Sequence, residues 1–317
     1  MANFTCASEK IRNVCLIGHG GNGKTSLAEA MLHLAKASDR FGKVTDGNTV
    51  CDFDAEEIKR KFSLSAALAP YEWKGAKINI IDTPGYLDFV GEVKQALRVC
   101  GTALIVMDAK SGVDVGCELA WDYATEAGVP KAFFVNKMDD ENAHFGNTIE
   151  AMREKFGVSV CPVAIPIIID RKPLGYADLI EMKGFEYCND GSVKEMPIPA
   201  ESMPKIEEFR GMLLESLAET SDALMVKYFD GEEFTHDEIV AGLSKGVNDG
   251  TVVPVYACSG YTTDAVDLLL NGITKLAPAP KGENDIVCDE NGNLAAICFK
   301  TVADPFIGKM SFFKVVA

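Results

Sequence analysis

The N-terminus lacks a positively charged segment leading into an apolar run and a small-residue cleavage site, which argues against a secretory signal. No uninterrupted apolar run is long enough to cross a bilayer. The most hydrophobic stretch, Val158 to Ile169, is short and broken by Pro162 and Pro166. A cytoplasmic protein without a membrane partner is expected. Basic residues are scarce as well: 31 Lys and Arg against 47 Asp and Glu leave a formal net charge of -16. Broad coating of nucleic acid needs a surplus of cations, so this balance argues against it and leaves only a local basic face open. The ten cysteines form no C-x-x-C pair and no close cluster with histidine, and are read as reduced thiols. His19, His33, His144 and His236 are spread along the chain, and most are read as surface or packing residues.

What is present is enough apolar material for real cores: 47% of 317 residues are hydrophobic, room for about two domains. Short apolar runs at Asn13 to Ile17, Ile78 to Ile81, Ala103 to Met107 and Ala132 to Val135 alternate with longer helical patterns. That alternation predicts a parallel sheet flanked by helices. After Phe156 the texture shifts to short strands with Pro and Gly, then to a charged stretch, Lys205 to Tyr228, with apolar residues at helical spacing. A strand at Val252 to Ala257 and a helix at Thr263 to Leu276 resume the first pattern, which ends in Ala277-Pro278-Ala279-Pro280. The expected division is a nucleotide-binding domain over 1–156 and 251–280, an inserted α+β subdomain over 157–250, and a linker with a further β segment over 281–317. There is no internal repeat or low-complexity tract.

Three motifs carry chemistry. Gly18-His19-Gly20-Gly21-Asn22-Gly23-Lys24-Thr25 fits G-x-x-x-x-G-K-[ST] and follows a strand, with a helical run from Ser26 to Ala35 behind it. Glycines let successive backbone N–H groups turn toward phosphates, and the helix adds the positive end of its dipole. Lys24 supplies charge to the outer phosphates and the Thr25 hydroxyl is placed for magnesium, so Gly18 through Ser26 are assigned to nucleotide binding.

Asp82-Thr83-Pro84-Gly85 ends a second apolar strand. Asp82 can hold a magnesium-bound water, and the Gly85 N–H can reach the terminal phosphate and sense it. Alone this is a common turn; downstream of a P-loop it is specific. The third motif, Asn136-Lys137-Met138-Asp139, follows another strand. The Asp139 carboxylate can accept two parallel bonds from the guanine ring N–H and amine, a pairing adenine does not offer. Lys137 can lay its stem over the base, and Asn136 can tie this loop to the P-loop. Cys258-Ser259-Gly260 is a weaker fourth element, where a backbone N–H would meet the guanine carbonyl oxygen.

Together these residues resemble the translational GTPases, and within them elongation factor G and its paralogues. The likeness runs through the P-loop, Ile80-Ile81-Asp82-Thr83-Pro84-Gly85, Phe134 to Asp139, the insertion before the last box, and the Leu276-to-Pro280 linker. The resemblance implies GTP and GDP with Mg2+ as cofactors, a ribosomal partner at the large-subunit stalk for the full-length protein, and a β-barrel second domain entered through Phe299 to Val316, including Asp304-Pro305-Phe306. Too few strands follow Pro280 to close such a barrel, so an N-terminal piece of a longer protein is expected, with Phe312 and Phe313 exposed.

The sequence departs from the family pattern at three places. Gly21 stands where the family usually has Asp. Arg60-Lys61-Phe62-Ser63 stands for Arg-Gly-Ile-Thr: Ser63 keeps a magnesium-ligating hydroxyl, whereas Lys61 lacks glycine's backbone freedom. Tyr86 stands where the family places a histidine after D-T-P-G. The charges from Asp54 to Lys61 are read as a mobile switch rather than a plain solvated helix face. Lys205 to Tyr228 is read first as a surface helix, with stalk contact as the alternative raised by the resemblance. Two function classes follow: a ribosome-stimulated GTPase resembling the translocation factor, with Tyr86 and Gly85 at the catalytic position, or a slow-hydrolysing, GTP-dependent ribosome-binding switch.

Overall fold

A computed structural model of the chain describes residues 6–169, 172–188, 192–257, 259–280, 294–304 and 308–316. Part of the linker after Pro280, Pro305-Phe306 and Cys258 lie outside the described residues.

β1 (Ile11–Ile17) runs into α1 (Lys24–Leu34); a long loop then leads to α2 (Ala55–Arg60) and the antiparallel pair β2 (Ala67–Trp73) and β3 (Ala76–Asp82). α3 (Val90–Val99), β4 (Thr102–Asp108), α4 (Val115–Glu126), β5 (Lys131–Asn136) and α5 (Phe145–Phe156) follow. Next come β6 (Val160–Pro162), β7 (Ala164–Ile169), β8 (Lys172–Asp178), β9 (Lys183–Tyr187), β10 (Val193–Met196), α6 (Met203–Ala218), α7 (Asp222–Asp230) and α8 (His236–Asp249). β11 (Val253–Ala257), α9 (Val266–Leu276) and the ribbon β12 (Ala296–Asp304) and β13 (Gly308–Val315) complete the order.

The main sheet has seven strands in the order β2-β3-β1-β4-β5-β11-β6, and every pairing but β2 with β3 is parallel. Its inner strands are mostly apolar and buried because helices cover both faces: all of β5 is buried, as are Val14 to Ile17 of β1 and Thr102 to Met107 of β4. β2 alternates instead, with Ala67, Ala69 and Tyr71 inward and Leu68, Pro70 and Glu72 outward, the pattern of an edge strand that tolerates proline. Lys74 and Gly75 both take positive φ in the two-residue turn into β3, the backbone such a tight hairpin needs.

Strand order reverses at β1, whose neighbours are β3 on one side and β4 on the other. The loops leaving the carboxyl ends of β1, β3 and β5 therefore converge at one crevice, the place where open α/β sheets bind ligands.

The segment expected as an insert is less separate than its composition implies. β6 joins the main sheet beside β11, while β7 to β10 form their own four-stranded sheet in the order β10-β9-β8-β7. One apolar core runs through both, from Val14 and Phe133 to Ile165, Leu213 and Leu243. The stretch Lys205 to Tyr228 is two helices, α6 and α7, divided at Glu219 to Ser221, where the Ser221 side chain caps α7. It is not a plain surface helix: Ile206, Phe209, Leu213 and Leu217 bury one face of α6. The terminal ribbon lies on α3, with Lys300 reaching the Ala66 carbonyl and, at 3.4 Å, Glu92. Phe313 is exposed, but Phe312 is half-buried beside the Phe299 ring, contrary to the expectation for that residue. No helix among the described residues is long and apolar enough to cross a membrane.

Candidate functional site

The P-loop is held from beneath. Asn22 is buried, and its amide donates to the Val106 carbonyl at 3.1 Å and to the Asp114 carboxylate at 3.0 Å, while its own carbonyl accepts from the Asn136 amide at 2.8 Å. Gly23 at φ +89° presses against that same amide, so a Cβ there would collide with it as well as strain the backbone. Lys24 opens α1, and its ammonium donates to the Gly18 and His19 carbonyls at 2.9 Å each. Burial lowers its pKa from the usual lysine range, with Asp82 opposing. Gly85 comes close to both the Lys24 ammonium and the Gly20 N–H and has no room for a side chain. His19 and Gly21 are exposed; Gly18, Gly20 and Ser26 are half-buried.

Beside the loop four oxygen-bearing side chains meet. The Thr25 hydroxyl donates to Asp82 Oδ2 at 2.7 Å and lies 3.2 Å from the Ser63 hydroxyl, which in turn donates to Asp52 Oδ1 at 2.7 Å. Asp82 Oδ1 and Asp52 Oδ2 are buried with no hydrogen-bond partner among the described residues. Burial pushes the Asp82 carboxyl up to about 7 and raises Asp52 too. Two unpartnered carboxylate oxygens beside two hydroxyls form an all-oxygen donor set, the kind a hard divalent cation such as Mg2+ takes. Asp52 was not among the residues anticipated; in sequence it is one more acid near a charged run, and only the fold brings it to Ser63.

The segment carrying Ser63 is fastened by two buried carboxylates. Glu29 of α1 accepts from the N–H groups of Gly42 at 3.1 Å and Val50 at 2.5 Å. Glu57 of α2 accepts from Leu64 at 2.9 Å, Ser65 at 3.1 Å and Asp54 at 3.2 Å, the last as half of a capping box. Lys61 caps the end of α2 at φ +60°, the left-handed conformation that glycine would adopt without strain. The Phe62 ring next to it meets Tyr86 edge-on, with centroids 4.7 Å apart. Tyr86 is 44% exposed, and its ring lies against Gly20. Gly20, Gly21, Gly23 to Ser26, Ser63, Thr83, Gly85 and Tyr86 line one cavity of about 190 Å³.

On the other side of the loop, Asn136 Oδ1 accepts from the Lys137 N–H at 2.8 Å and the Gly260 N–H at 2.9 Å, so this one amide joins the first, third and fourth motifs. Lys137 takes φ +62°, and its ammonium pairs with Asp108 at 2.7 Å. Asp139 lies on an exposed turn just past β5. Ser259 is buried, and its hydroxyl accepts from Tyr261 at 3.3 Å and Thr262 at 3.2 Å. The N–H groups of Ser259 and Gly260 are engaged inside the protein, with Asp264 and Asn136, rather than presented to a base carbonyl. The P-loop, Ser63, Gly85 and Tyr86 thus share one cavity, and Asn136 ties the loops of Lys137 and Gly260 to the P-loop. The partners that aim them, Asp52, Asp108 and Asp114, had no local signal.

Residues 9–279 match the family model of the elongation factor Tu GTP binding domain. Among solved structures, a crystal structure of a Thermus thermophilus protein superposes with a TM-score of 0.88 at 32% sequence identity, covering 98% of this chain and 46% of that one. The chain therefore spans less than half the length of that relative.

Proposed function

Because the chain belongs to the translational GTPases that carry the elongation factor Tu GTP-binding domain, we propose that it binds GTP and GDP with Mg2+ and hydrolyses GTP as the nucleotide switch of a ribosome-acting factor resembling elongation factor G. The observation that carries this reading is the oxygen set of Thr25, Ser63, Asp82 and Asp52 next to the buried Lys24. In it Thr25 and Ser63 would hold the metal directly and Asp82 through water, with Asp52 fixing Ser63. The bound metal would neutralise phosphate charge. Gly18 to Ser26 would cradle the phosphates, the Gly85 N–H would report the terminal one, and Asp139 would select guanine. Lys137 would first have to share its ammonium with Asp108 while its stem covers the base.

A second reading is favoured by Tyr86. Where the family has a histidine that can turn cationic, a phenol packed on Phe62 can hold a water but brings no positive charge to the reacting phosphate. Losing one such group lowers turnover by about 10²–10³-fold, which suits a slow, GTP-dependent ribosome-binding switch. For the stalk contact we assign α7, whose exposed Val226 and Phe229 offer an apolar surface that the inner face of α6 does not.

The test is equilibrium displacement of a fluorescent GDP by GTP, GDP and ATP, followed by single-turnover hydrolysis with and without ribosomes for wild type and Tyr86→His. GTP and GDP should displace the probe and ATP should not; competition by ATP as strong as by GTP overturns the guanine reading. Tyr86→His should raise ribosome-stimulated turnover at unchanged affinity. A large loss on that substitution would make tyrosine a competent catalytic group and sink the slow-switch reading.

A further inference from the structure

Lys43 lies in the loop between α1 and α2, beside Val44, which lines the phosphate cavity. Tyr261 follows Gly260 in the loop after β11. The two residues are 218 apart in sequence, yet the Lys43 ammonium stands 3.4 Å from the Tyr261 hydroxyl and 4.9 Å from the centre of its ring. Each belongs to a loop fixed at its base. The Lys43 N–H donates to Asn48 Oδ1 at 2.7 Å, and the preceding Gly42 is held by Glu29. The Tyr261 N–H donates to the Ser259 hydroxyl, and Gly260 is held by Asn136. Tyr261 is 60% exposed, so core packing does not account for its place.

We propose that Lys43 and Tyr261 form a clasp that joins the wall of the phosphate cavity to the base-side loop and slows nucleotide release. The inference rests on reading the crevice as a guanine-nucleotide site. An ammonium over a phenol ring is attracted to the face of the ring and gains a hydrogen bond at the hydroxyl; near the surface the pair is weak but specific. A nucleotide gripped at both ends leaves only when the loop of Val44 and the loop of Gly260 part, and parting them breaks this contact. Because this contact must break before the two loops part, its loss is read in the dissociation rate.

The experiment measures dissociation of N-methylanthraniloyl-GDP, chased with excess GDP in a stopped-flow, for wild type, Lys43→Ala, Tyr261→Leu, the double variant and Lys43→Arg. Each single variant should release the probe about two- to five-fold faster, the size of a surface cation–π pair. The double variant should release no faster than the faster single, because both remove one contact. Lys43→Arg, which keeps a cation over the ring, should return close to wild type. Unchanged release in both singles, or effects that multiply in the double variant, overturns the clasp while leaving the nucleotide reading intact. Failure of wild type to bind the probe at all overturns that reading, and the clasp with it.

Discussion

At the end of the crevice proposed for phosphate, Asn22, Lys24, Thr25 and Asp82 are buried and bonded to the loop or to one another, whereas at the end proposed for the base Asp139 is exposed and Lys137 half-exposed. In the first region the charged groups are buried: the Lys24 ammonium is met by the Gly18 and His19 carbonyls and Asp82 Oδ2 by the Thr25 hydroxyl. The second is a pair of exposed or half-exposed side chains aimed by a buried amide, Asn136. Substitutions at the phosphate end should therefore disturb both binding and the protein's own energetics. Those at the base end should change which ligand is chosen and little else.

The largest effect expected is from Lys24→Ala, which should weaken GTP by about 3–4 kcal/mol, as for truncating one partner of a buried charge contact. Isothermal titration beside a thermal melt checks it, and unchanged affinity would remove the phosphate assignment. Asp139→Asn should cost GDP about 1.5–3 kcal/mol, the worth of a hydrogen bond to a charged group. It should shift preference toward xanthine nucleotides, because the amide can donate to a ring carbonyl. The melting temperature should not move. A fall in stability comparable to that of Lys24→Ala would erase the contrast between the two ends.

Asp82 sharpens the contrast through pH. Its folded carboxyl is raised by burial from the usual 3.8 to about 7, so the folded protein holds a proton that the unfolded chain has released across that range. The stabilisation it gives is complete below the unfolded value and is lost as pH rises through the folded one. Between pH 5 and 7 this amounts to about 2 kcal/mol. Urea unfolding of the nucleotide-free protein should show that decline, and Asp82→Asn should flatten it. Mg2+ affinity should rise over the same interval as the proton leaves. The smallest effect is Lys61→Gly, which relieves a left-handed non-glycine residue and should stabilise by about 0.5–1 kcal/mol; a loss of stability would show that Lys61 does more than cap α2.

The anticipated strands and the P-loop, D-T-P-G and N-K-M-D motifs were legible because each motif follows a buried apolar strand, and a parallel sheet places such strand ends together. β2 was not, because an edge strand reading Ala-Leu-Ala-Pro-Tyr-Glu-Trp mixes small, polar and proline residues and its register comes from pairing with β3. The break between α6 and α7 was hidden for a similar reason: helical spacing continues across Glu219 to Ser221, and the stop depends on Ser221 capping the next helix. Asp52, Asp108 and Asp114 escaped notice because an acid that orients a neighbour across many residues of chain looks, in sequence, like any solvated acid. Glu29 and Glu57 are the sharpest instances: both sit in helices where an exposed charge is the default, and both are almost fully buried.

Those two glutamates make the stretch from Gly42 to Ser65 a strap pinned near both ends. Ser63 lies just inside the second pin, and Ala67, two residues beyond Ser65, begins the outermost strand of the main sheet. The lever from Ser63 to the sheet edge is thus a few residues long. A change in what Ser63 touches has little slack chain in which to dissipate, and its mechanical outlet is the rim formed by β2 and the adjoining ribbon, where Lys300 already grips the Ala66 carbonyl.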